Sequence, residues 1–210
     1  MFGLDPDRVA ARVRSAGAAP RWPTLGQSLL WGAAGFCLAS LVVFATVAFG
    51  ERWMYRQLGL PGTYAVWTAL FIGAGGGALL PLVIGPGRAA RFYALFGLAF
   101  FLYAAGWIAS YFTLRGKTGE WVGSLAGSAL LGLALAWAFG SAGSWPKIVT
   151  GLFLGNSVGY FLGDALNNAV GGRAGMMLWG AAYGLGLGAG LGHALYQAQT
   201  PARGRLARGN

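Results

Sequence analysis

Four polar side chains recur at intervals of four residues along one strongly apolar segment of the chain. They are Asn156, Tyr160, Asp164 and Asn168 in the segment GLFLGNSVGYFLGDALNN, which begins at Gly151. A spacing of four keeps side chains on one face of an α-helix, so these amide, phenol and carboxyl groups form a single stripe. Because unpartnered polar groups are costly in an apolar environment, the stripe is expected to face protein, water or a ligand.

Two interpretations of this polar stripe stay open. In the first, Asn156 makes hydrogen bonds to neighbouring helices, and Asp164 pairs with Arg173 at the start of the next helix. In the second, the stripe, with Arg173 at its end, lines an outward-facing polar vestibule for a cation or another small solute. At 1.5 Å of rise per residue, the stripe climbs from roughly mid-membrane to the outer surface.

Glycines form a second stripe on the same segment and on the segment that follows. They occupy every fourth position: Gly151, Gly155, Gly159 and Gly163, and then Gly180, Gly184, Gly188 and Gly192. Small residues let helix backbones approach closely, and close packing is what holds helices together in a bilayer. The spacing predicts that these two segments form a tight antiparallel pair.

His193 is the single histidine of the chain and lies in the last apolar segment. Its expected role is structural hydrogen bonding near the inner membrane interface. The alternative is an axial ligand for haem or a chlorophyll-type pigment, because Gly190 and Gly192 beside it leave room for a flat macrocycle. A second axial histidine would then have to come from another chain. The sequence itself requires no cofactor.

Catalytic and metal-binding groups are scarce in the sequence. Serines in a fourth helix and a histidine in a sixth are similar in outline to rhomboid intramembrane proteases, whose nucleophile stands in Gly-x-Ser-Gly. Here Ser124 and Ser128 stand in GSLAGSALLG, and Ser124 is expected about 20 Å from His193 along the membrane normal, too far for proton transfer. Cys37 is the only cysteine, which excludes an intrachain disulfide and a cysteine metal site. We expect neither enzymatic activity nor a bound metal.

The elements that position these residues are long apolar segments. Of the 210 residues, 56% are hydrophobic and 10% are charged, whereas about 25% are charged in soluble domains. Six runs approach the roughly 20 residues that cross a bilayer as a helix: residues 27–49, 64–84, 92–114, 121–139, 148–166 and 176–197. The sequence predicts an all-α integral membrane protein with six transmembrane helices and glycine-rich close packing.

Basic residues divide unevenly between the two sides of this topology. One side has ten: Arg8, Arg12, Arg14, Arg21, Arg88, Arg91, Lys147, Arg203, Arg205 and Arg208. The other has five: Arg52, Arg56, Arg115, Lys117 and Arg173. The positive-inside rule therefore predicts that both termini are cytoplasmic, in the inner membrane of a prokaryotic cell. The net charge of +10 is then explained without nucleic acid.

Three regions follow from this topology: a basic N-terminal segment (1–24), a six-helix domain (25–197) and a basic tail (198–210). Both basic segments are expected to contact anionic lipids. Asp5 and Pro6 predict a short capped helix in the first segment, with a disordered leader as the alternative. The tail shows no apolar periodicity, and the residues between the first two spans are expected to form a loop along the outer interface.

The glycines of the second apolar run and the tryptophans of the chain carry further signals. Glycines at 73, 75, 76 and 77, followed by Pro81, make the second helix the one most prone to bend or break. Tryptophans near the ends of the spans, including Trp107 and Trp179, are predicted to be interface anchors.

A short match at an offset of 82 residues relates the two halves of the chain. Leu70-Phe71-Ile72-Gly73, Gly77 and Arg91 correspond to Leu152-Phe153-Leu154-Gly155, Gly159 and Arg173. A 3+3 inverted repeat, as found in secondary transporters, is one explanation, and chance in a glycine-rich chain is the other.

Two functions are compatible with these patterns. The preferred one is a non-enzymatic subunit or scaffold of a larger inner-membrane complex, with other membrane-protein subunits as partners, because the glycines serve helix contacts. The alternative is a small-solute or ion transporter or channel, because the polar stripe, the bent second helix and the repeat are typical of such proteins.

Overall fold

The protein is described by a computed structural model, which covers residues 2–17 and 22–208. The regular elements in these ranges are helices, and no strand occurs in them. They are α1 (Pro6–Ser15), α2 (Leu25–Leu70), α3 (Gly76–Leu79), α4 (Arg88–Leu114), α5 (Gly116–Ala138), α6 (Trp145–Val170), α7 (Gly172–Ala198) and α8 (Thr200–Arg208). The all-α prediction is confirmed. Arg21, one of the basic residues counted above, lies outside the described residues.

The helix α2 is broken at Gly59, where φ is 65° and ψ is −179°. Glycine adopts this positive φ without strain, so the chain can reverse direction at this single residue. The two arms of the resulting hairpin, residues 25–58 and 60–82, pack side by side, with Gly35 against Ala78. The segment between the first two apolar runs therefore extends the first arm as helix, which corrects the loop expected there.

Four helical segments are long and apolar enough to cross a membrane: Leu25–Leu82, Arg88–Leu114, Gly116–Ala138 and Gly172–Ala198. The first contains both hairpin arms and thus two of the predicted spans. The helix α6 is not among the four, because Asn156 and Asp164 lower its hydropathy. These segments are consistent with a membrane protein.

The long helices pack into a closed ring. Its order is the first arm, α7, α6, α5, α4 and the second arm, which returns to the first arm. Apolar side chains fill the centre, and the largest that are fully buried include Phe36, Phe92, Phe96, Leu131, Leu135, Leu187 and Leu191. The ring holds residues far apart in sequence at fixed positions around a common interior.

The second arm departs from α-helical geometry in the region where a bend is predicted. A π-helix spans Phe71–Gly75, and a 3₁₀-helix that contains Pro81 ends the arm. Buried Gln199 serves the backbone groups left free there: its Oε1 accepts from Ile84 N at 2.7 Å, and its Nε2 donates to Leu82 O at 2.9 Å. This side chain replaces the hydrogen bonds that an uninterrupted helix would make.

The short helix α1 forms as the capping signal predicts. The Asp5 side chain accepts a hydrogen bond from Arg8 N at 3.1 Å, and Pro6 occupies the first helical position. An aspartate cap satisfies one of the otherwise unpaired amides at a helix start.

The tail is helical as well, which differs from the expectation of a segment without apolar pattern. Ala202 and Leu206 lie one turn apart on α8 and are buried against Val9 and Val13 of α1. Arg205 also forms an ion pair with Asp7. Two apolar residues are enough to hold α8 against the bundle, because α1 presents an apolar face to them. Both terminal helices therefore lie together at one end of the bundle.

We expect Leu206→Asp to release α8 from α1, because a carboxylate would have to leave water at a site that is 4% exposed. Amide hydrogen exchange in α8 should accelerate at least about tenfold. The matched control is Ala207→Asp, which places the same charge on an exposed position. Equal protection of α8 in both variants would contradict this packing.

Candidate functional site

Asn156 is fully buried, at 0% exposure, and is the centre of a chain of hydrogen bonds across four helices. The Tyr103 hydroxyl donates to Asn156 Oδ1 at 2.8 Å, and Asn156 Nδ2 donates to Ser124 Oγ at 2.7 Å. The hydroxyls of Ser124 and Ser157 lie 2.7 Å apart, and those of Tyr103 and Tyr183 lie 3.3 Å apart. Asn156 therefore makes the interhelical hydrogen bonds of the first interpretation.

The direction of donation in this chain is fixed at its tyrosine end. Tyr103 has a single hydroxyl hydrogen and gives it to Asn156, so the hydrogen between the two tyrosines must come from Tyr183. The Tyr183 oxygen is then left with acceptor capacity, and no donor contacts it among the described residues. The chain ends at an acceptor group.

Tyr183 lines a cavity of about 300 Å³ between both hairpin arms, α4, α6 and α7. Its lining residues are Phe44, Tyr64, Phe71, Tyr103, Ala104, Trp107, Ile108, Tyr160, Trp179 and Tyr183. Eight of these ten side chains are aromatic, and none carries a formal charge. We call this space the aromatic cavity.

The rings around the aromatic cavity contact one another. Tyr160 lies between Trp107 and Trp179, with ring centroids 5.8 Å and 5.7 Å away. The ring centroid of Phe44 lies 6.1 Å from that of Trp179. Tilted and edge-to-face pairs at such distances are favourable and hold each ring in place. Tyr160, a member of the predicted polar stripe, thus contributes to an aromatic wall.

The aromatic cavity lies in the half of the bundle remote from the termini. Trp107 is seven residues from the end of α4, and Trp179 is seven residues from the start of α7. At 1.5 Å of rise per residue, these positions are about 10 Å below the helix ends. The cavity is therefore close to this end of the bundle, about two helical turns below its surface.

A charged cluster lies at the end of α5 and α6 that is remote from the chain termini. Lys117 Nζ is 3.1 Å from Asp164 Oδ2 and 2.9 Å from Glu120 Oε2, and Asn168 Nδ2 donates to Asp164 Oδ1 at 3.2 Å. The Lys117 side chain is 65% exposed, so these pairs contribute little to stability. With two carboxylates and one ammonium, the cluster sums to a charge of −1.

The predicted pairing of Asp164 with Arg173 is wrong. Asp164 pairs with Lys117, and the Arg173 guanidinium lies 5.2 Å from the ring centroid of Phe49 on the first arm. Gly171 and Gly172 both have positive φ and turn the chain into α7. Arg173 then faces the first arm, on the side of α7 away from α6.

The glycine stripes lie at contacts within the chain. Those at 151, 155, 159 and 163 face α7, and those at 180, 184, 188 and 192 face the first arm. A Cβ on Gly159 would lie 2.8 Å from Ala182 O, and one on Gly184 would lie 2.6 Å from Cys37 Cα. Because these neighbours are backbone atoms, the helices could not keep their separation if a side chain were present.

His193 lies at the opposite end of the bundle from the aromatic cavity. Its ring covers Gly151 and lines a second cavity of about 580 Å³, together with Lys147 and Gln197. Ser124 instead bonds to Asn156, so the structure does not bring Ser124 and His193 together. Haem or pigment ligation by His193 stays a prediction. Within the described ranges, no group of three or more His, Cys, Asp and Glu side chains could hold a metal ion.

Apart from Tyr160, the residues of the aromatic cavity are those that the sequence did not predict as a site. Trp107 and Trp179 are predicted as interface anchors, but both line the cavity. A usable signal existed: Tyr103 and Trp107, and likewise Trp179 and Tyr183, are four residues apart and so share one helix face. Two aromatic pairs of this kind on different helices indicate a common aromatic environment.

In comparisons with known proteins, no family model, curated protein or solved structure matches the chain. The site is therefore interpreted from its own geometry.

Proposed function

We propose that this chain is a small-solute transporter of the prokaryotic inner membrane, with the aromatic cavity as its solute site. The observation that carries the proposal is an aromatic cavity of about 300 Å³ whose floor is a buried chain of hydrogen bonds. Ligand sites in proteins are commonly of this kind: largely apolar, with a few fixed polar groups. If these residues served helix packing alone, side chains would be expected to fill this cavity.

The proposed topology has six crossings. The two hairpin arms, α4, α5, α6 and α7 run in alternating directions through the ring, and the turns between them lie at alternating ends. The helix α6 crosses despite its polar residues, because Asn156 is satisfied by neighbouring helices and Asp164 lies near its outer end. Internal partners remove the penalty that these residues would have in lipid.

Charge supports the orientation of this proposal. The end of the bundle that carries α1 and α8 has nine described basic residues: Arg8, Arg12, Arg14, Arg88, Arg91, Lys147, Arg203, Arg205 and Arg208. The opposite end has five, and three of the five acidic residues lie there as well. By the positive-inside rule, the terminal helices face the cytoplasm and the aromatic cavity lies in the outer half of the bundle.

The second arm supplies an element that can move. Its π-helix, Phe71–Gly75, begins with a cavity residue and includes Gly73, whose missing side chain would meet nothing within 4 Å. Short π segments within α-helices are frequent at functional sites, and hinges absorb the conformational change of transport. Movement of this arm would open the cavity toward the cytoplasmic side, where its 3₁₀ end rests on Gln199.

Cysteine labelling tests the proposal, because Cys37 is the only native thiol. In a Cys37→Ala background, we expect Ala104→Cys to react with membrane-impermeant methanethiosulfonates in right-side-out vesicles and also in inverted vesicles. A transport site must be reached by water from each side in turn. The measurement is the rate of modification, read by gel shift or intact mass.

Two control positions define the scale of this experiment. Thr118→Cys lies at an exposed position on the outer end and should react at once. Leu133→Cys is 54% exposed in the cytoplasmic half of α5 and should face lipid and stay unmodified. If Ala104→Cys behaves like Leu133→Cys in both kinds of vesicle, the transport proposal fails. Reaction from the outer face alone would leave a binding cavity but contradict transport.

The role of subunit or scaffold in a larger complex stays a prediction. Its support in the sequence is the glycine stripes, and their contacts in the structure are with helices of the same chain. The terminal helices likewise pack on each other. These features therefore favour neither a partner nor its absence, while the aromatic cavity favours a solute.

A further inference from the structure

We propose that the aromatic cavity binds a small quaternary ammonium cation. This inference rests on the proposed function and names the class of its solute. Three features lead to it: the aromatic rings of the lining, the acceptor at the end of the hydrogen-bond chain, and the small volume of the cavity.

The ring faces supply the main attraction. Aromatic faces carry negative electrostatic potential, and a desolvated cation placed over several of them is bound by cation–π interactions. The lining has no formal charge and few oxygen atoms, so it cannot replace the tight hydration shell of a metal ion or a primary ammonium. A methylated ammonium is weakly hydrated, and its methyl groups can pack against the carbon atoms of the aromatic rings.

The hydrogen-bond chain favours a positive ligand over a negative one. Tyr183 lines the cavity and uses its hydroxyl hydrogen on Tyr103, so its oxygen is available only as an acceptor. The polarised methyl groups of a quaternary ammonium are attracted to such an oxygen, whereas an anion is repelled by it. Tyr103 cannot reverse this arrangement without giving up its bond to Asn156.

The size of the cavity acts in the same direction. The cavity volume of about 300 Å³ is at the small end for ligand sites, which fits a compact head group.

The test compares choline with 3,3-dimethyl-1-butanol, its neutral isostere in which carbon replaces nitrogen. The full chain with Cys37→Ala and Ala104→Cys is placed in vesicles and treated with neutral N-ethylmaleimide. We expect choline to slow the reaction at concentrations at least about tenfold lower than the isostere requires, because only choline gains the cation–π attraction.

A pair of tryptophan variants tests the site without relying on the cysteine. Isothermal titration of choline into Trp179→Leu should show at least a tenfold weaker affinity than the unmodified chain, because one wall of the cavity is lost. Trp31→Leu is the matched control, since Trp31 is 66% exposed and lies outside the cavity, and its affinity should not change. Should Trp179→Leu fail to fold, Tyr183→Phe keeps the ring, removes the acceptor and is expected to weaken binding.

Each outcome bears on a distinct statement. Protection by choline and not by the isostere supports the cation class. Equal protection by both overturns the cation class but leaves a solute cavity. Labelling of Ala104→Cys without protection by either also overturns this inference and leaves the proposed function in place. If Ala104→Cys is never labelled, both the inference and the proposed function fail.

Discussion

Gly155→Leu is expected to prevent assembly of the helix bundle. A Cβ at this position would meet Gly186 O and lie 3.0 Å from Gly190 N, and these are backbone atoms that cannot rotate away. Separating α6 from α7 to admit a leucine would destabilise the fold by about 3 kcal/mol or more. We expect the purified variant to elute as aggregate from size exclusion and to lose its cooperative thermal transition.

Gly73→Leu is the control for this substitution. Gly73 is also helical and within the bundle's span, but a Cβ there would meet nothing within 4 Å. Its thermal midpoint in the same detergent should stay close to that of the unmodified chain. A stable, monodisperse Gly155→Leu protein would show that α6 and α7 do not approach as closely as they do in the structure.

Asn156→Leu is expected to produce the second largest effect. The change leaves the Tyr103 hydroxyl without its acceptor and Ser124 without its donor, in a region where Asn156 is fully buried. Each unsatisfied buried group costs about 1–3 kcal/mol. Thermal unfolding in detergent should therefore shift to lower temperature, and choline affinity should fall because Tyr103 no longer fixes the orientation of Tyr183.

The same substitution on the same helix provides the comparison. Asn168 is exposed near the outer end of α6 and bonds only to Asp164 among the described residues. Asn168→Leu should leave both the thermal midpoint and choline affinity nearly unchanged. Equal losses in the two variants would mean that the buried hydrogen-bond chain has no special role.

Features of the fold that depend on local sequence could be predicted. The helical character of the apolar runs, the Asp5 cap and the irregular second arm follow from neighbouring residues, and the structure has them where expected. The reversal at Gly59 was missed, because a helix that runs beyond the membrane and turns on one glycine looks like a loop in sequence. The helix α8 was missed because its two apolar residues are buried only by contact with α1, which the tail sequence does not reveal.

The features of the site depend on which helices become neighbours. The sequence of a single segment does not show which helices these are. Phe44, Tyr103, Tyr160 and Trp179 come from four separate helices, so no local pattern places them together. The partner of Asp164 depends on the direction in which α7 leaves its glycine turn. Asn156 could be assigned to interhelical bonding, because a buried amide has few other options.

The position of α7 between the first arm and α6 has a consequence for biogenesis. Ser40 on the first arm bonds to Gly180 O at 2.8 Å, a partner that the ribosome delivers about 140 residues later. In the proposed six-crossing topology, the small-residue face of the first arm contacts lipid or another protein until then. Insertion of the helices and closure of the ring are then separate events, and α7 is the helix that completes the ring.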